Sequence, residues 1–200
     1  MNSSKVWRVA LAAWVVMTMG AGTGTALAAS YTVDPDHSTV GFKIKHLFSK
    51  VSGKFTQYDA SFEVDEAQPQ GLMARATIKA ASIDTGVKQR DKHLIGNEFF
   101  DVENHPEIKY QSTGVTVGED GKLKLDGLIT IKGIEKPITM DVELHGVGKD
   151  PWGNVRMGLT ATGVLNRKDF GINWNEALET GGFLVGDDVE IILEIEGIQQ

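Results

Sequence analysis

The chain has 200 residues, of which 41% are hydrophobic, with no cysteine and a formal net charge of −7 at pH 7. The lack of cysteine excludes a disulfide framework and a lipid-modified cysteine. The acidic balance argues against nucleic acid as a partner, because nucleic-acid binders need basic patches, and against electrostatic docking on anionic lipids.

The first 28 residues have the layout of a cleaved export signal. Lys5 and Arg8 precede an uncharged apolar run over residues 9–20, and residues 25–28 supply a small-residue cleavage site. The run is shorter than the roughly 20 residues of a membrane span, so an uncleaved anchor is the weaker alternative. We expect a signal peptide over 1–28, one mature domain over 29–200 and a periplasmic location. The mature domain would carry 18 Lys and Arg against 27 Asp and Glu.

Eight segments of the mature region alternate apolar and polar residues, the pattern of half-buried strands. The segments are 40–46, 51–64, 72–78, 108–117, 123–131, 138–144, 155–165 and 189–195. The apolar parity changes near Thr56-Gln57 and again within the fourth segment, which predicts a bulge or bend at each place. Turns are predicted at Asp120-Gly121 and over residues 150–154.

Antiparallel strands joined by short turns form either a barrel or a sandwich. The strands that contain these segments are expected to be long, roughly 9 to 13 residues where 5 or 6 is usual. Several contain internal glycines, which suit a strongly coiled sheet. We therefore predict an all-β, eight-stranded antiparallel barrel. Barrels of this size have room for one elongated apolar guest.

Two long irregular segments, 82–106 and 168–187, interrupt the strands, and loops of this length are uncommon unless they are functional. The first predicts a short helical insertion at the barrel mouth, over residues 87–94, capped by Asp84 or Thr85. Arg90, His93 and Leu94 would then share one helical face.

His46 continues the apolar parity of the first predicted strand, and Arg167 continues that of the seventh. Both side chains are therefore expected to point inward at strand ends, where a buried cation must be paired or neutralised. One interpretation is a structural salt bridge to Asp91 or Asp101. The other is contact with the polar head of a ligand whose tail fills the barrel, because a guanidinium suits phosphate. The two interpretations are compatible.

Aromatic residues also lie in the irregular segments, at Phe99-Phe100 and between Phe170 and Trp174. They form either a lid over the barrel mouth or an ordinary satellite cluster of the core.

No signature of catalysis or metal binding stands out. The chain has no nucleophile elbow, phosphate-binding loop or dinucleotide fingerprint, and its five histidines lack zinc-motif spacing. Asp91 and His93 are two residues apart and would point to different sides of a helix. We predict no catalytic residue, no metal ligand and no covalent cofactor. A hydrolase that uses His46, Asp91 and His93 is the alternative.

The mature region as a whole resembles the YceI-like family of periplasmic polyisoprenoid-binding proteins. The order and spacing of several stretches carry the resemblance: residues 36–38, 40–47 and 82–85, Arg90-Asp91-Lys92-His93-Leu94, Phe99-Phe100-Asp101, Asp150-Pro151-Trp152-Gly153 and residues 166–172. The resemblance implies a lipocalin-like extended barrel. It also implies a non-catalytic protein that sequesters or transports a long isoprenoid lipid, either a polyprenyl phosphate or an isoprenoid quinone.

The candidate ligand-binding residues are those expected inside the barrel or at its mouth: Phe42, Ile44, His46, Phe55, Arg90, Asp91, His93, Leu94, Phe99, Phe100, Leu165, Arg167, Phe170 and Trp174. A second functional hypothesis is a stress-response accessory protein that delivers a quinone to a membrane b-type cytochrome. An exposed edge at the barrel seam would also allow a homodimer.

Overall fold

The computed structural model describes residues 28–119, 121–179 and 181–200, so the predicted signal peptide lies outside the described residues except for Ala28. The strands are β1 Ala29–Val33, β2 Thr39–His46, β3 Ser49–Phe55, β4 Tyr58–Asp65, β5 Gln68–Lys79, β6 Ile83–Asp84, β7 Glu107–Val117, β8 Leu123–Ile131, β9 Ile134–Lys149, β10 Val155–Asn166 and β11 Val185–Gln199. Helix α1 spans Lys88–Leu94, and short 3-10 helices span Pro35–His37, Ala80–Ser82 and Arg167–Phe170.

The strands form a closed antiparallel barrel. Neighbours run in the order β1-β4-β5-β7-β8-β9-β10-β11, and β11 pairs back onto β1. Strand β11 also pairs with β2, and β2 pairs with β3, which pairs with β6. Three pairs of consecutive strands therefore each act as one long bent strand: β1 with β2, β3 with β4, and β5 with β6. Counted in this way, the described barrel has eight strands. The structure confirms the predicted barrel and not the sandwich. The exposed strand edge expected at the seam is instead paired, because β11 bonds to β1.

Both predicted irregularities are present. Residues Thr56-Gln57 separate β3 from β4, facing the 3-10 helix Ala80–Ser82, and the backbone N–H of Thr56 donates to the carbonyl of Ser82. The second parity change is a register shift between Ser112 and Gly114 in the pairing of β7 with β8. The sequence did not predict β1, whose five residues are too few for a clear alternation.

One end of the barrel is packed solid, and we call it the closed end. The rings of Tyr31 and Phe62 stack there, with centroids 4.9 Å apart and planes 12° apart. Val64, Leu72 and Met157 are almost fully buried beside them. A Cβ at position 197 would lie 2.6 Å from the Phe62 ring, so glycine there leaves room for the stack.

A charged cluster holds the outer wall of the closed end together. The Arg156 guanidinium donates to Asp34 Oδ2 at 2.7 Å, Asp150 Oδ2 at 2.8 Å and Glu196 Oε1 at 2.6 Å. It thereby joins the β1–β2 bend, the β9–β10 turn and β11. Hydrogen bonds from Arg156 and His37 lower the pKa of Asp34 to about 2, and the bond from Arg156 also holds the pKa of Asp150 well below its usual range.

Helix α1 is present, but its predicted caps are wrong. The helix starts at Lys88, and the residue before it, Val87, offers no capping side chain. Asp84 instead accepts a hydrogen bond from the N–H of Gly86 at 2.8 Å. Asp91, in the first turn, reaches back and accepts from the N–H and the hydroxyl of Thr85, at 2.9 and 2.6 Å. A carboxylate near a helix start is favoured by the helix dipole, which explains the reversal.

None of the helices in the described part of the chain is long and apolar enough to cross a membrane.

Candidate functional site

The interior of the barrel holds a cavity of about 650 Å³. Its wall is mainly aliphatic and aromatic, and every strand of the ring contributes to it. Strands β7 and β8 contribute Ile108, Tyr110, Leu125, Ile129 and Ile131. Pockets that enclose small molecules are typically of about 300 to 1,000 Å³ and mostly apolar. The cavity therefore has the size and lining of a site for an apolar ligand.

Side chains do not fill this space. Val40, Phe42, Ile191, Leu193 and Ile195 line the cavity, yet each is only partly buried. In a barrel packed solid by its own side chains these residues would be buried, as Phe62 and Leu72 are where the cavity ends. The exposed apolar surface therefore faces the cavity.

Helix α1 and the two irregular segments surround one end of the cavity, which we call the mouth. The ring of His93 lies 4.9 Å from that of Phe99 and 5.0 Å from that of Trp174, and Phe99 and Trp174 are 5.3 Å apart. Phe100 packs edge-on against Phe55 at 5.8 Å. Aromatic rings thus border the mouth, and Phe99 belongs to the buried core with Phe100 and Trp174 packed against it.

Phe170 does not share that position. Its side chain is only 1% exposed, and it belongs to the buried core as well as to the cavity wall. For this residue the interpretation as ordinary core packing is correct.

Arg167 points inward, as its parity predicts, but its partners differ from the prediction. The side chain is 3% exposed, and it donates from Nε to the carbonyl of Gly186 and from Nη1 to the carbonyls of Ile172 and Trp174, all at 2.8 Å. Its carboxylate partner is Asp187, at 3.3 Å, rather than Asp91 or Asp101. Burial lowers the pKa of Arg167. Arg167 therefore pins the second irregular segment to β11.

Arg90 is the cation at the mouth with donors to spare. It donates from Nε to the hydroxyl of Thr85 at 2.7 Å and from Nη2 to the carbonyl of the same residue at 2.9 Å. No carboxylate lies within ion-pair distance of Arg90 among the described residues. A guanidinium has five N–H donors, so three are left for a ligand.

Asp91 is the exception among the predicted ligand-binding residues, because it bonds to Thr85 and does not line the cavity. The others all line it: Phe42, Ile44, His46, Phe55, Arg90, His93, Leu94, Phe99, Phe100, Leu165, Arg167, Phe170 and Trp174. The expected shared face of Arg90, His93 and Leu94 is confirmed.

Tyr110 is a cavity residue that the sequence did not single out. Its hydroxyl is buried and has no hydrogen-bond partner among the described residues, and burial raises its pKa. The ring covers Gly127, where a Cβ would lie 2.6 Å from the Tyr110 hydroxyl oxygen. The detectable signal was an inward-facing tyrosine diagonal to an inward-facing glycine on the next predicted strand, where Tyr110 opposes Ile129 and Gly127 opposes Ser112.

The mouth does not assemble the groups of the alternative hydrolase. His93 contacts Glu98 at 2.9 Å, and Asp91 is held by Thr85. In residues 28–119, where all three lie, no hydrogen bond joins His46, Asp91 and His93.

One cluster outside the cavity has ligands of the kind that bind metals, namely Asp34, His37 and Glu196. Arg156 Nη1 already bonds to both carboxylates, and His37 Nδ1 lies 2.8 Å from Asp34 Oδ2. The guanidinium neutralises the charge that a cation would need, so we assign this cluster a structural role.

Fold and cavity together define a class: small antiparallel β-barrels that enclose an apolar cavity with a polar mouth. Residues 31–197 match the family model for the YceI-like domain. The chain belongs to the YceI-like family.

Individual relatives agree with this assignment. The UPF0312 protein of Pectobacterium atrosepticum is 38% identical over 187 residues, covering 92% of this chain and 94% of the relative. BcnA of Burkholderia cenocepacia has a similar fold, with a TM-score of 0.72 at 24% identity over 82% of this chain and 98% of its own. A polyisoprenoid-binding domain from Saccharophagus degradans, implicated in plant cell wall breakdown, has a TM-score of 0.62 at 14% identity over 86% and 99%.

Proposed function

We propose that this protein binds a long-chain isoprenoid lipid in its barrel and sequesters or carries it in the periplasm without catalysing a reaction. The observation that carries the proposal is the apolar cavity of about 650 Å³ that inward side chains leave unfilled. The polyisoprenoid-binding domain from Saccharophagus degradans, which has the same fold, supports the choice of ligand class.

The physical need for such a carrier is large. At about 0.8 kcal/mol for each CH₂ kept from water, an isoprenoid chain of several tens of carbons costs tens of kcal/mol to expose. The chain cannot cross an aqueous compartment unaided, whereas the apolar wall of this cavity offers it the same surroundings as a membrane.

Two head groups suit different polar features of the cavity. A polyprenyl phosphate would place its anionic head at the mouth, where Arg90 has free donors and no carboxylate partner in the part of the chain that the structure describes. An isoprenoid quinone would offer a carbonyl to the unpartnered hydroxyl of Tyr110. We favour the phosphate, because an unpaired cation at the mouth of an apolar site recruits an anion.

Mass spectrometry on protein purified from its native periplasm without detergent tests the ligand class. We expect a stoichiometric isoprenoid in the organic extract and the matching added mass in the native spectrum. Ala76→Phe, which fills part of the cavity wall on β5, should lose most of that mass. Thr162→Phe, on the outer face of β10, is the control and should retain it. Equal retention by both variants would contradict binding inside the barrel.

The head group is tested by Arg90→Gln against Lys92→Gln. Both residues lie on α1, but only Arg90 lines the cavity. If the head is a phosphate, Arg90→Gln should reduce the amount of co-purified lipid about tenfold, the scale of a charge-assisted hydrogen bond. Lys92→Gln should leave it unchanged. A quinone in the extract that is insensitive to Arg90→Gln and lost in Tyr110→Phe would establish the second head group.

The proposed location and partner have separate tests. Sequencing the N-terminus of the exported protein should find Ala29, as cleavage after Ala28 requires. If the lipid is a quinone, co-purification with a membrane b-type cytochrome would identify the acceptor and support a role in the stress response.

A further inference from the structure

Two phenylalanines project into solvent beside the mouth. Phe48, at the tip of the hairpin between β2 and β3, is 103% exposed, and Phe183, before β11, is 65% exposed. The two loops are joined, because the N–H of Leu47 donates to the carbonyl of Leu184 at 3.0 Å. Neither phenylalanine lines the cavity, although the neighbouring His46 and Leu184 do. Exposed large apolar side chains that cluster at one place mark an interaction surface.

The hairpin that carries Phe48 is basic, although the whole chain is acidic. Residues 39–55 contain Lys43, Lys45, Lys50 and Lys54 and no Asp or Glu. All four lysines are exposed on the outer face, alternating with inward residues. Two carboxylates face the hairpin: Glu190 opposes Lys43 and pairs with Lys50, and Asp84 opposes Lys54. Within the described residues Lys43, Lys45 and Lys54 make no ion pair.

The second phenylalanine also has a lysine beside it. Lys168 Nζ lies 5.9 Å from the centre of the Phe183 ring, and it is bonded to Asp187 Oδ2 at 2.8 Å. Exposed aromatic side chains with lysines nearby match the water–lipid boundary of an anionic bilayer, where rings enter the interface and ammonium groups meet the head groups.

We propose that this tip, formed by Phe48, Phe183 and the lysines of the β2–β3 hairpin, docks the barrel mouth on an anionic phospholipid surface. Charge complementarity selects the membrane over a protein partner, because three lysines without an ion pair among the described residues face outward on one hairpin of an acidic molecule. Docking here would bring the mouth against the bilayer, so that a bound lipid could pass without crossing water. That purpose rests on the proposed function, whereas the docking itself does not require a ligand. The net charge of the whole chain does not show that residues 39–55 are locally basic.

Vesicle co-sedimentation tests the proposal with the full mature protein. One set of vesicles is phosphatidylcholine alone, and the other is an equimolar mixture of phosphatidylcholine and phosphatidylglycerol. We expect binding to the mixed vesicles that weakens as salt is raised, and little binding to phosphatidylcholine. Phe48→Ser should weaken binding about tenfold, the scale of one buried aromatic side chain. Lys45→Glu should weaken it by a similar factor.

Trp152→Ser is the matched control, because Trp152 is 81% exposed in the β9–β10 turn at the closed end. It should bind the mixed vesicles as the wild type does. Equal binding of the wild type to both vesicle types would overturn the proposal, as would no binding to either or equal losses in Phe48→Ser and Trp152→Ser. If a partner protein covers the tip instead, the two vesicle types will not differ.

The lipid content of the same variants separates this proposal from the proposed function. Phe48 and Trp152 do not line the cavity, so both variants should retain the co-purified lipid. If Phe48→Ser loses vesicle binding but retains its lipid, docking at the tip is supported. If the wild type binds vesicles but never carries lipid, the proposed lipid carriage is rejected and docking still stands.

Discussion

The closed end and the mouth of the barrel are built from the same strands, but they are packed differently. At the closed end the inward side chains of Tyr31, Phe62 and Met157 are buried against one another, and Arg156 ties three segments together outside. Toward the mouth, Phe42 and Ile191 face inward yet remain partly exposed to the cavity. We infer that the closed end supplies most of the stability, while the mouth keeps its surface for a ligand.

The largest expected effect compares one phenylalanine from each region. Phe62→Ala should lower the free energy of unfolding by about 3 to 5 kcal/mol, because it opens a cavity in a close-packed core. Phe42→Ala should cost less than half of that, since its side chain already borders empty space. Urea unfolding of lipid-free protein measures both. Equal losses would show that the mouth is packed as tightly as the closed end.

Next in size is the loss of Arg167, which bonds the second irregular segment at the mouth to β11. Arg167→Met should cost about 3 kcal/mol, because it leaves the buried carbonyls of Ile172 and Trp174 without donors. Hydrogen exchange should rise in residues 168–184 before it rises elsewhere. Unchanged exchange there would reject the role of Arg167 as the residue that pins this segment.

A smaller loss is expected when the outer cluster of the closed end is broken. Arg156→Gln should lower the melting temperature by about 5 °C at pH 7, because three carboxylates lose their shared donor. Lys149→Gln, a nearby exposed lysine, is the control and should melt with the wild type. Calorimetry on both variants makes the measurement.

The same cluster makes the effect of Arg156→Gln depend on pH. The pKa of Asp34 is about 2 in the folded protein, below its ordinary value of 3.8. Between these values the unfolded state binds more protons, so the contribution of Asp34 is complete above pH 4 and is lost as the pH falls toward 2. The difference between wild type and Arg156→Gln should therefore shrink across that window. A constant difference would exclude Asp34 as the titrating partner.

The smallest predicted effect has the opposite sign. Tyr110→Phe should stabilise the lipid-free protein by about 1 kcal/mol, because it removes a buried hydroxyl that has no hydrogen-bond partner in residues 28–119, 121–179 and 181–200. Thermal melts of the wild type and of Tyr110→Phe, both stripped of lipid, test this. Destabilisation would mean that the hydroxyl is satisfied in the lipid-free state.

Alternation along the sequence predicted the architecture well, because the strand period decides which side chains face inward. It identified eight long strands and the bend at Thr56-Gln57, and it placed His46 and Arg167 on the cavity side. These features depend on local parity, which tertiary packing did not override.

Contacts between distant segments could not be predicted in the same way. Arg167 pairs with Asp187 across an irregular segment that has no period to follow, and Asp91 turns back to Thr85 instead of facing the mouth. The unfilled interior depends on how the closed ring sets the distance between opposite walls, which no single strand encodes. Closure of the ring also decides which groups come near the Tyr110 hydroxyl, and among the described residues none bonds to it.

The pairing of β11 with both β1 and β2 has a consequence for how the molecule folds. Tyr31 opposes Gln199, so the ring closes only when segments from opposite ends of the described chain, residues 28–119 and 181–200, meet. Pairings of such long sequence separation are slow to form, on the order of milliseconds to seconds in β-rich domains. Until β11 docks, the apolar wall of the future cavity is open along its whole length. The cavity is therefore enclosed only when β11 has paired with β1 and β2, so the binding site and the closed ring form in the same step.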